Sequence, residues 1–173
     1  MEQTSMKPVS GAPMPAFKTP KVGGGELMVG TSDTWQLVYV YRGKHCPLCR
    51  KFLTELSSKL DDFTLLGVDV AVVSADNGEK AGSEAAEEGW RFPVGYDLSV
   101  NQMRQLGLYI SEPRDADETD RPFAEPAMFI LNPKRQMHII SIANSPAVRP
   151  SIATLLASLK FTMEKNLPPR GRM

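Results

Sequence analysis

The chain reads as an α/β protein: helices packed on a central mixed sheet, with an N-terminal β-hairpin extension. Three features predict this. Two compact apolar runs, Leu37 to Tyr41 and Val68 to Val73, flank a stretch with apolar residues every fourth position, the strand–helix–strand alternation of parallel pairing. Two further apolar runs, Ala127 to Leu131 and Gln136 to Ile142, are separated only by Asn132-Pro133-Lys134-Arg135, a connection suited to an antiparallel hairpin. Ile152, Leu155, Leu156, Leu159 and Met163 then recur at helical spacing and close the domain.

The remaining elements follow in order. Ala16-Phe17-Lys18 and Glu26-Leu27-Met28-Val29, separated by Gly23-Gly24-Gly25, read as the N-terminal hairpin. From Pro47 to about Leu60, the residues Leu48, Phe52, Leu56 and Leu60 share one helix face, with Pro47 in the first turn where a missing N–H costs nothing. Val68 to Val73 is almost continuously apolar, as strands covered on both faces are. The Ala- and Glu-rich stretch Asp76 to Glu88 reads as a solvent-facing helix, and Phe92 to Tyr96 as a short strand. Ser99 and Gln102 form a capping box for a helix carrying Val100, Met103 and Leu106, which Gly107 can end. The long stretch Ser111 to Pro126, rich in acidic residues, reads as a solvated surface excursion. The predicted organisation is a flexible arm over residues 1–15, one domain over 16–165 and a tail over 166–173. Trp35 and Trp90 read as packing residues, and the nine methionines as core filler.

Composition bounds the function. Lys plus Arg and Asp plus Glu both number 20, a formal net charge of zero that gives no electrostatic reason to expect nucleic acid or an anionic membrane. No apolar run approaches the roughly 18 residues of a membrane span, and the polar, Pro-containing N-terminus has no secretory h-region. The cytoplasm is the expected location.

The chemistry concentrates at Cys46-Pro47-Leu48-Cys49, which holds the only two cysteines, between the run ending at Tyr41 and the predicted helix. A CxxC at that junction puts the first sulfur beside a helix N-terminus, where unpaired N–H groups and the helix dipole favour the thiolate. The second sulfur follows one turn later, within reach of a mixed disulfide or sulfenic acid on the first. Cys46 is the expected nucleophile and Cys49 the less exposed resolving thiol. Lys44, His45 and Arg50 should add cationic character, with His45 either tuning or shielding the thiolate. The competing readings are a pair of buried structural thiols or a zinc site; the latter lacks ligands, since only His45 and His138 remain as soft donors. No Gly-rich phosphate loop is present, because Gly23-Gly24-Gly25 does not fit one.

The stretch Tyr41-Arg42-Gly43-Lys44-His45-Cys46-Pro47-Leu48-Cys49-Arg50 resembles the RGxxCPxC motif of a redoxin subgroup within the peroxiredoxin-like branch, named for alkyl hydroperoxide reductase and thiol-specific antioxidant, of the thioredoxin-fold superfamily. Glu125-Pro126-Ala127-Met128-Phe129-Ile130-Leu131 resembles the segment in which a cis-proline opens a later strand, so the resemblance implies a cis bond before Pro126. It implies a thioredoxin-like, peroxiredoxin-type sandwich and a thiol–disulfide oxidoreductase cycling Cys46 and Cys49. The alternatives are a thiol peroxidase acting on hydrogen peroxide or organic hydroperoxides, and a non-enzymatic redox-responsive module whose oxidation alters residues 111–126. It implies no cofactor and no metal, an external thioredoxin- or glutathione-type dithiol as reductant, and a homodimer among the expected states. Typical peroxiredoxins carry Thr or Ser three residues before the reactive cysteine and Pro seven before it; here these positions are Gly43 and Tyr39. They also place an arginine where this chain has Pro126, and Arg42 or Arg149 is the candidate replacement.

Overall fold

The computed structural model of the chain describes residues 7–173. A five-stranded sheet of order β5-β4-β3-β8-β9 is its centre. Strands β3 (Trp35–Val40), β4 (Val68–Val73) and β5 (Val94–Gly95) run parallel. Strands β8 (Ala127–Leu131) and β9 (Met137–Ile142) complete the sheet as an antiparallel hairpin against β3. The thioredoxin-like mixed sheet expected from the sequence is therefore the observed one.

Both faces of the sheet are covered, and the two-residue strand period divides them. Leu37 and Tyr39 of β3 with Met128 and Ile130 of β8 join one core, and Val38 and Val40 with Ala127, Phe129 and Leu131 join the other. The first core is closed by helices α1 (Pro47–Ser58), α2 (Leu60–Leu65) and α5 (Ile152–Lys165) through Cys49, Phe52, Leu53, Leu56, Phe63, Ile152, Leu155 and Leu159. The second is closed by the hairpin of β1 (Phe17–Pro20) and β2 (Glu26–Val29), together with α4 (Val100–Gln105). Helix α3 (Gly78–Glu88) contributes Ala81 to the first core.

The helix ends follow their sequence signals. Ser99 and Gln102 make the reciprocal capping box of α4, and Gly107, at φ 71°, turns the chain out of it. The helix expected to run from Pro47 to about Leu60 instead breaks at Lys59, whose N–H still bonds to the carbonyls of Glu55 and Leu56. The break re-aims the following turn so that Phe63, fully buried, packs into the first core while Leu65 remains 86% exposed.

Two regions differ from expectation. Of the arm read over 1–15, residues 1–6 lie outside the described residues. The following segment is tied to the sheet: the Gly11 N–H donates to Met137 O at 2.8 Å, the Met137 N–H to Ala12 O at 2.9 Å, and Met14 is buried. At the other end, the Ser10 hydroxyl donates to Arg170 O in the tail. The stretch Ser111 to Pro126 is not simply a solvated excursion. It contains β7 (Phe123–Ala124), paired with β6 (Ile110–Ser111), and buries Thr119, Phe123, Ala124 and Glu125. Strands of two residues carry no periodicity to read, so the sequence did not announce this pair.

Phe63 and Leu65 test the orientation of α2. Phe63→Ala removes a fully buried ring and is expected to destabilise the fold by about 3–5 kcal/mol in urea denaturation, whereas Leu65→Ala should fall within about 0.5 kcal/mol of the parent.

Candidate active site at the start of helix α1

Cys46 is the N-cap residue of α1. Its backbone is extended, at φ −108° and ψ 100°, and Pro47 takes the first helical turn. The Cys46 sulfur occupies the place that a serine or aspartate oxygen takes in an ordinary cap, accepting the Cys49 N–H at 3.3 Å. Cys46 is 1% exposed and Cys49 fully buried, so the expected difference in exposure between them is slight. Both are free thiols. Pro47 and Leu48, between them in sequence, face solvent.

Two arginines distant from each other in sequence converge on the sulfurs. The Arg42 guanidinium, two residues after β3, lies near enough to the Cys46 sulfur to favour its anion. Arg149, in the loop before α5, places Nη2 3.9 Å from Cys49 Sγ and donates from Nη1 to Leu48 O at 2.9 Å. Its guanidinium lies over the Phe52 ring, 5.2 Å from the centroid. The sulfurs are thus buried among charge and donors rather than hydrocarbon alone.

The Cys46 thiol is lowered from its ordinary value to about 6, chiefly by a hydrogen bond from the Cys49 thiol. Burial opposes this, while the Cys49 N–H and the Arg42 guanidinium assist it. Cys49 is raised, because its proton is shared with the Cys46 sulfur and its own anion would be both buried and beside another anion. One sulfur is charged and the other holds the proton.

The residues expected to supply nearby positive charge do something else. His45 packs edge-on against Phe123, with ring centroids 4.6 Å apart, and neither ring nitrogen has a partner. Burial, and then the Arg42 charge, push its pKa down to about 4, so it is neutral at pH 7. His45 therefore shields the site and does not add a cation. The Lys44 ammonium points away to Ser83 and Glu87, both at 2.9 Å. Arg50 donates to Lys44 O at 3.0 Å and pairs with the buried Glu84 at 3.4 Å, bracing the loop from behind.

Pro126 requires a correction. Among the described residues no peptide bond is cis, so the Glu125–Pro126 bond is trans. The backbone around it is also occupied: Glu125 N–H donates to Tyr109 O at 2.8 Å, and Pro126 O accepts the Ala143 N–H at 3.0 Å. These bonds hold the chain as it runs into β8 and occupy the Glu125 N–H and the Pro126 carbonyl.

Several site residues were invisible to sequence reasoning. Glu118 and Glu125, from the stretch Ser111 to Pro126, contact Arg42 at 3.3 and 3.2 Å, and Phe123 lies 4.8 Å beneath its guanidinium. Asp76 accepts the Lys44 N–H at 2.7 Å and fills the space beside Gly43. Only tertiary folding brings them to the site; the one local hint was the length and charge of the loop. Among the described residues, no group of three or more His, Cys, Asp or Glu side chains converges as a metal-ligand set.

A thioredoxin-fold sheet with two thiols at the first turn of its central helix defines a dithiol protein of the peroxiredoxin type. A model described as the AhpC/TSA family matches residues 10–140, and the chain belongs to that family. Relatives from two strains of Mycobacterium tuberculosis, both bearing the name peroxiredoxin, are 28% identical over 96 residues, 55% of this chain and 61% of theirs. The match thus spans under two thirds of those relatives. Among solved structures, peroxiredoxin 6 of Arenicola marina is similar with a TM-score of 0.77 at 16% identity, covering 92% of this chain and 76% of that one. A peroxiredoxin-like protein from Aquifex aeolicus is similar with a TM-score of 0.76 at 18% identity, covering 91% and 90%. At such identities the likeness is one of fold.

Two outcomes are expected. Titrated by thiol-alkylation rate, the nucleophilic cysteine should show a midpoint near 6, with thiolate lost as pH falls below it; Arg42→Gln should move that midpoint upward. Gly43 sits at φ 135°, and a Cβ there would lie 2.6 Å from Asp76 Oδ1. Gly43→Thr, which restores the side chain of typical peroxiredoxins, should therefore destabilise the fold by about 2 kcal/mol or more in chemical denaturation.

Proposed function

We propose that the protein is a thiol-dependent oxidoreductase that reduces hydroperoxides, with Cys46 and Cys49 passing between dithiol and disulfide. The observation that carries this reading is the buried Cys46 sulfur, lowered to about 6 while capping α1 and facing Arg42. A thiol titrating near 6 is about 90% ionised at pH 7, against a few per cent for a free cysteine, a gain of about 30-fold in nucleophile before any orientation effect.

In the first step the Cys46 thiolate attacks the terminal oxygen of ROOH. The O–O bond breaks, Cys46 becomes the sulfenic acid, and the alkoxide leaves as ROH after taking a proton. Arg42 is placed to stabilise the negative charge that develops on the departing oxygen. In the second step Cys49, deprotonated, attacks the Cys46 sulfur and expels hydroxide, which takes a proton to become water. Two electrons have moved from the dithiol to the peroxide. An external dithiol of thioredoxin or glutathione type resets the disulfide by exchange, which requires no metal or cofactor. The cytoplasm, where such donors are abundant, is the location this reading favours.

Thiol–disulfide exchange with a protein substrate is the second reading, and it shares the same sulfurs. A sulfur 1% exposed admits a small peroxide more readily than a folded protein's disulfide. The Glu125 N–H, which a substrate peptide would pair with, is already hydrogen-bonded within the chain to Tyr109 O. Small oxidants fit better.

Stopped-flow oxidation by hydrogen peroxide and by an organic hydroperoxide tests the proposal. Cys46 should be oxidised at least ~100-fold faster than a free thiol. Cys46→Ser should abolish the reaction; Cys49→Ser should retain the first step and lose the disulfide. A Cys46 rate no faster than that of free cysteine would overturn the peroxidase reading.

A further inference from the structure

Resting on that reading, we propose that the site divides its two cations between its two sulfurs: Arg42 serves Cys46 in peroxide attack, and Arg149 activates Cys49 as the resolving nucleophile. The geometry carries this. Arg149 Nη2 is 3.9 Å from Cys49 Sγ, within contact of the atom that must become the second nucleophile.

The two guanidiniums differ in how their charge is compensated. Arg42 is flanked by Glu118 and Glu125 as well as by the Cys46 sulfur. Arg149 pairs with no carboxylate among the described residues; its other donors go to the neutral carbonyls of Leu48 and Pro146. A whole positive charge is thus held rigidly in carbonyl forks and aimed at Cys49. The Phe52 ring beneath it excludes water from that side.

The chemistry needs such a group only after the first step. In the resting dithiol, Cys49 supplies the proton that stabilises the Cys46 thiolate, and its own ionisation is opposed by that neighbouring anion. Oxidation converts Cys46 to a neutral sulfenic acid and removes the repulsion. Cys49 must then release its proton in a buried place and attack. A guanidinium in contact lowers the free energy of that anion, and it does so selectively, because before oxidation the proton is committed to Cys46. The Tyr39 hydroxyl, also buried and without a partner, lies on the same sheet face as these groups; the surroundings of Cys49 are not those of a core hydrophobe. The order of events is built into the pair: the first sulfur ionises at rest, the second only when the first has reacted.

The alternative role for Arg149 is architectural, tying the loop before α5 to α1 through Leu48 O. Single-turnover measurement separates the two. Reduced protein receives one equivalent of hydrogen peroxide; Cys46 sulfenic acid is followed by trapping with a cyclic dicarbonyl, and disulfide formation by mass spectrometry of quenched samples. In Arg149→Gln, which can still donate to carbonyls, resolution should fall at least ten-fold relative to the first step at pH 7. Trapped sulfenic acid should accumulate, and the deficit should shrink as pH rises and Cys49 ionises unaided. Arg149→Lys keeps the charge and should recover part of the resolving rate, which guards against a variant that merely loosens the loop. Arg42→Gln should show the opposite pattern, a slow first step with resolution keeping pace. Equal loss of both steps in Arg149→Gln, or resolution at the parental rate, would overturn the division of labour while leaving the peroxidase reading intact. A parent protein that forms no Cys46 sulfenic acid would overturn both.

Discussion

The contact on which the site depends is the one between the Cys46 sulfur and the Cys49 N–H at the first turn of α1. Every α-helix begins with backbone N–H groups that lack an acceptor, and soluble proteins usually satisfy them with a hydroxyl or carboxylate oxygen. Here a sulfur does so. Folding and reactivity are consequently coupled: the same hydrogen bond that satisfies an unpaired backbone N–H adds to the larger effect of the Cys49 thiol in favouring the Cys46 anion. The strand before it supplies the rigidity, since β3 is paired along its whole length with β4 on one side and from Gln36 to Val40 with β8 on the other. The loop from Arg42 to His45 is clamped at Lys44, by Asp76 on its N–H and by Arg50 on its carbonyl. A cap whose backbone is held this way does not need to reorganise when the charge on the sulfur changes.

A buried anion needs compensation, and the fold supplies it from segments that are remote in sequence. Arg42 comes from the chain just before the motif, Arg149 from about a hundred residues later, and Glu118 and Glu125 from the stretch between β6 and β8. Two carboxylates around one guanidinium look excessive for a cation whose task is to meet a thiolate. They fix its orientation: with the Phe123 ring beneath and a carboxylate on either flank, the guanidinium has little freedom to leave the sulfur. Such pairs contribute modestly to stability after desolvation, so their value here lies in placement.

Much of the fold was legible because its signals are local and periodic. The alternation in β3 and β8 and the four-residue spacing in α1 and α5 announce faces, and the Ser99–Gln102 box announces a helix start. The CxxC at a strand–helix junction announced the sulfurs for the same reason, since helix capping is a property of adjacent residues. What the sequence concealed is tertiary. Whether Arg149 meets a sulfur depends on how the segment between β9 and α5 packs on the start of α1, and no spacing encodes that. For His45 the sequence left tuning and shielding both open, and its expected cationic character fails because adjacency to a cysteine says nothing of whether the ring will be desolvated beside Phe123. Pro126 was misjudged because a resemblance in residue type does not fix an isomer when the flanking backbone is already hydrogen-bonded in the trans form.

Gly43 shows how a departure from a family pattern can be structural in origin. Typical relatives place a hydroxyl at this position, and its loss first reads as a loss of function. The backbone there adopts φ 135°, open to glycine and strained for any side chain, and the volume a Cβ would need belongs to the Asp76 carboxylate. That carboxylate is buried, which raises its pKa, while the Lys44 N–H it accepts acts in the opposite direction. Glycine at 43 and aspartate at 76 are therefore one solution to holding the approach to Cys46, reached by a clamp on the backbone rather than by a side chain aimed at the oxidant. In the peroxidase reading proposed above, orientation of the oxidant then falls to Arg42, the guanidinium beside the Cys46 sulfur.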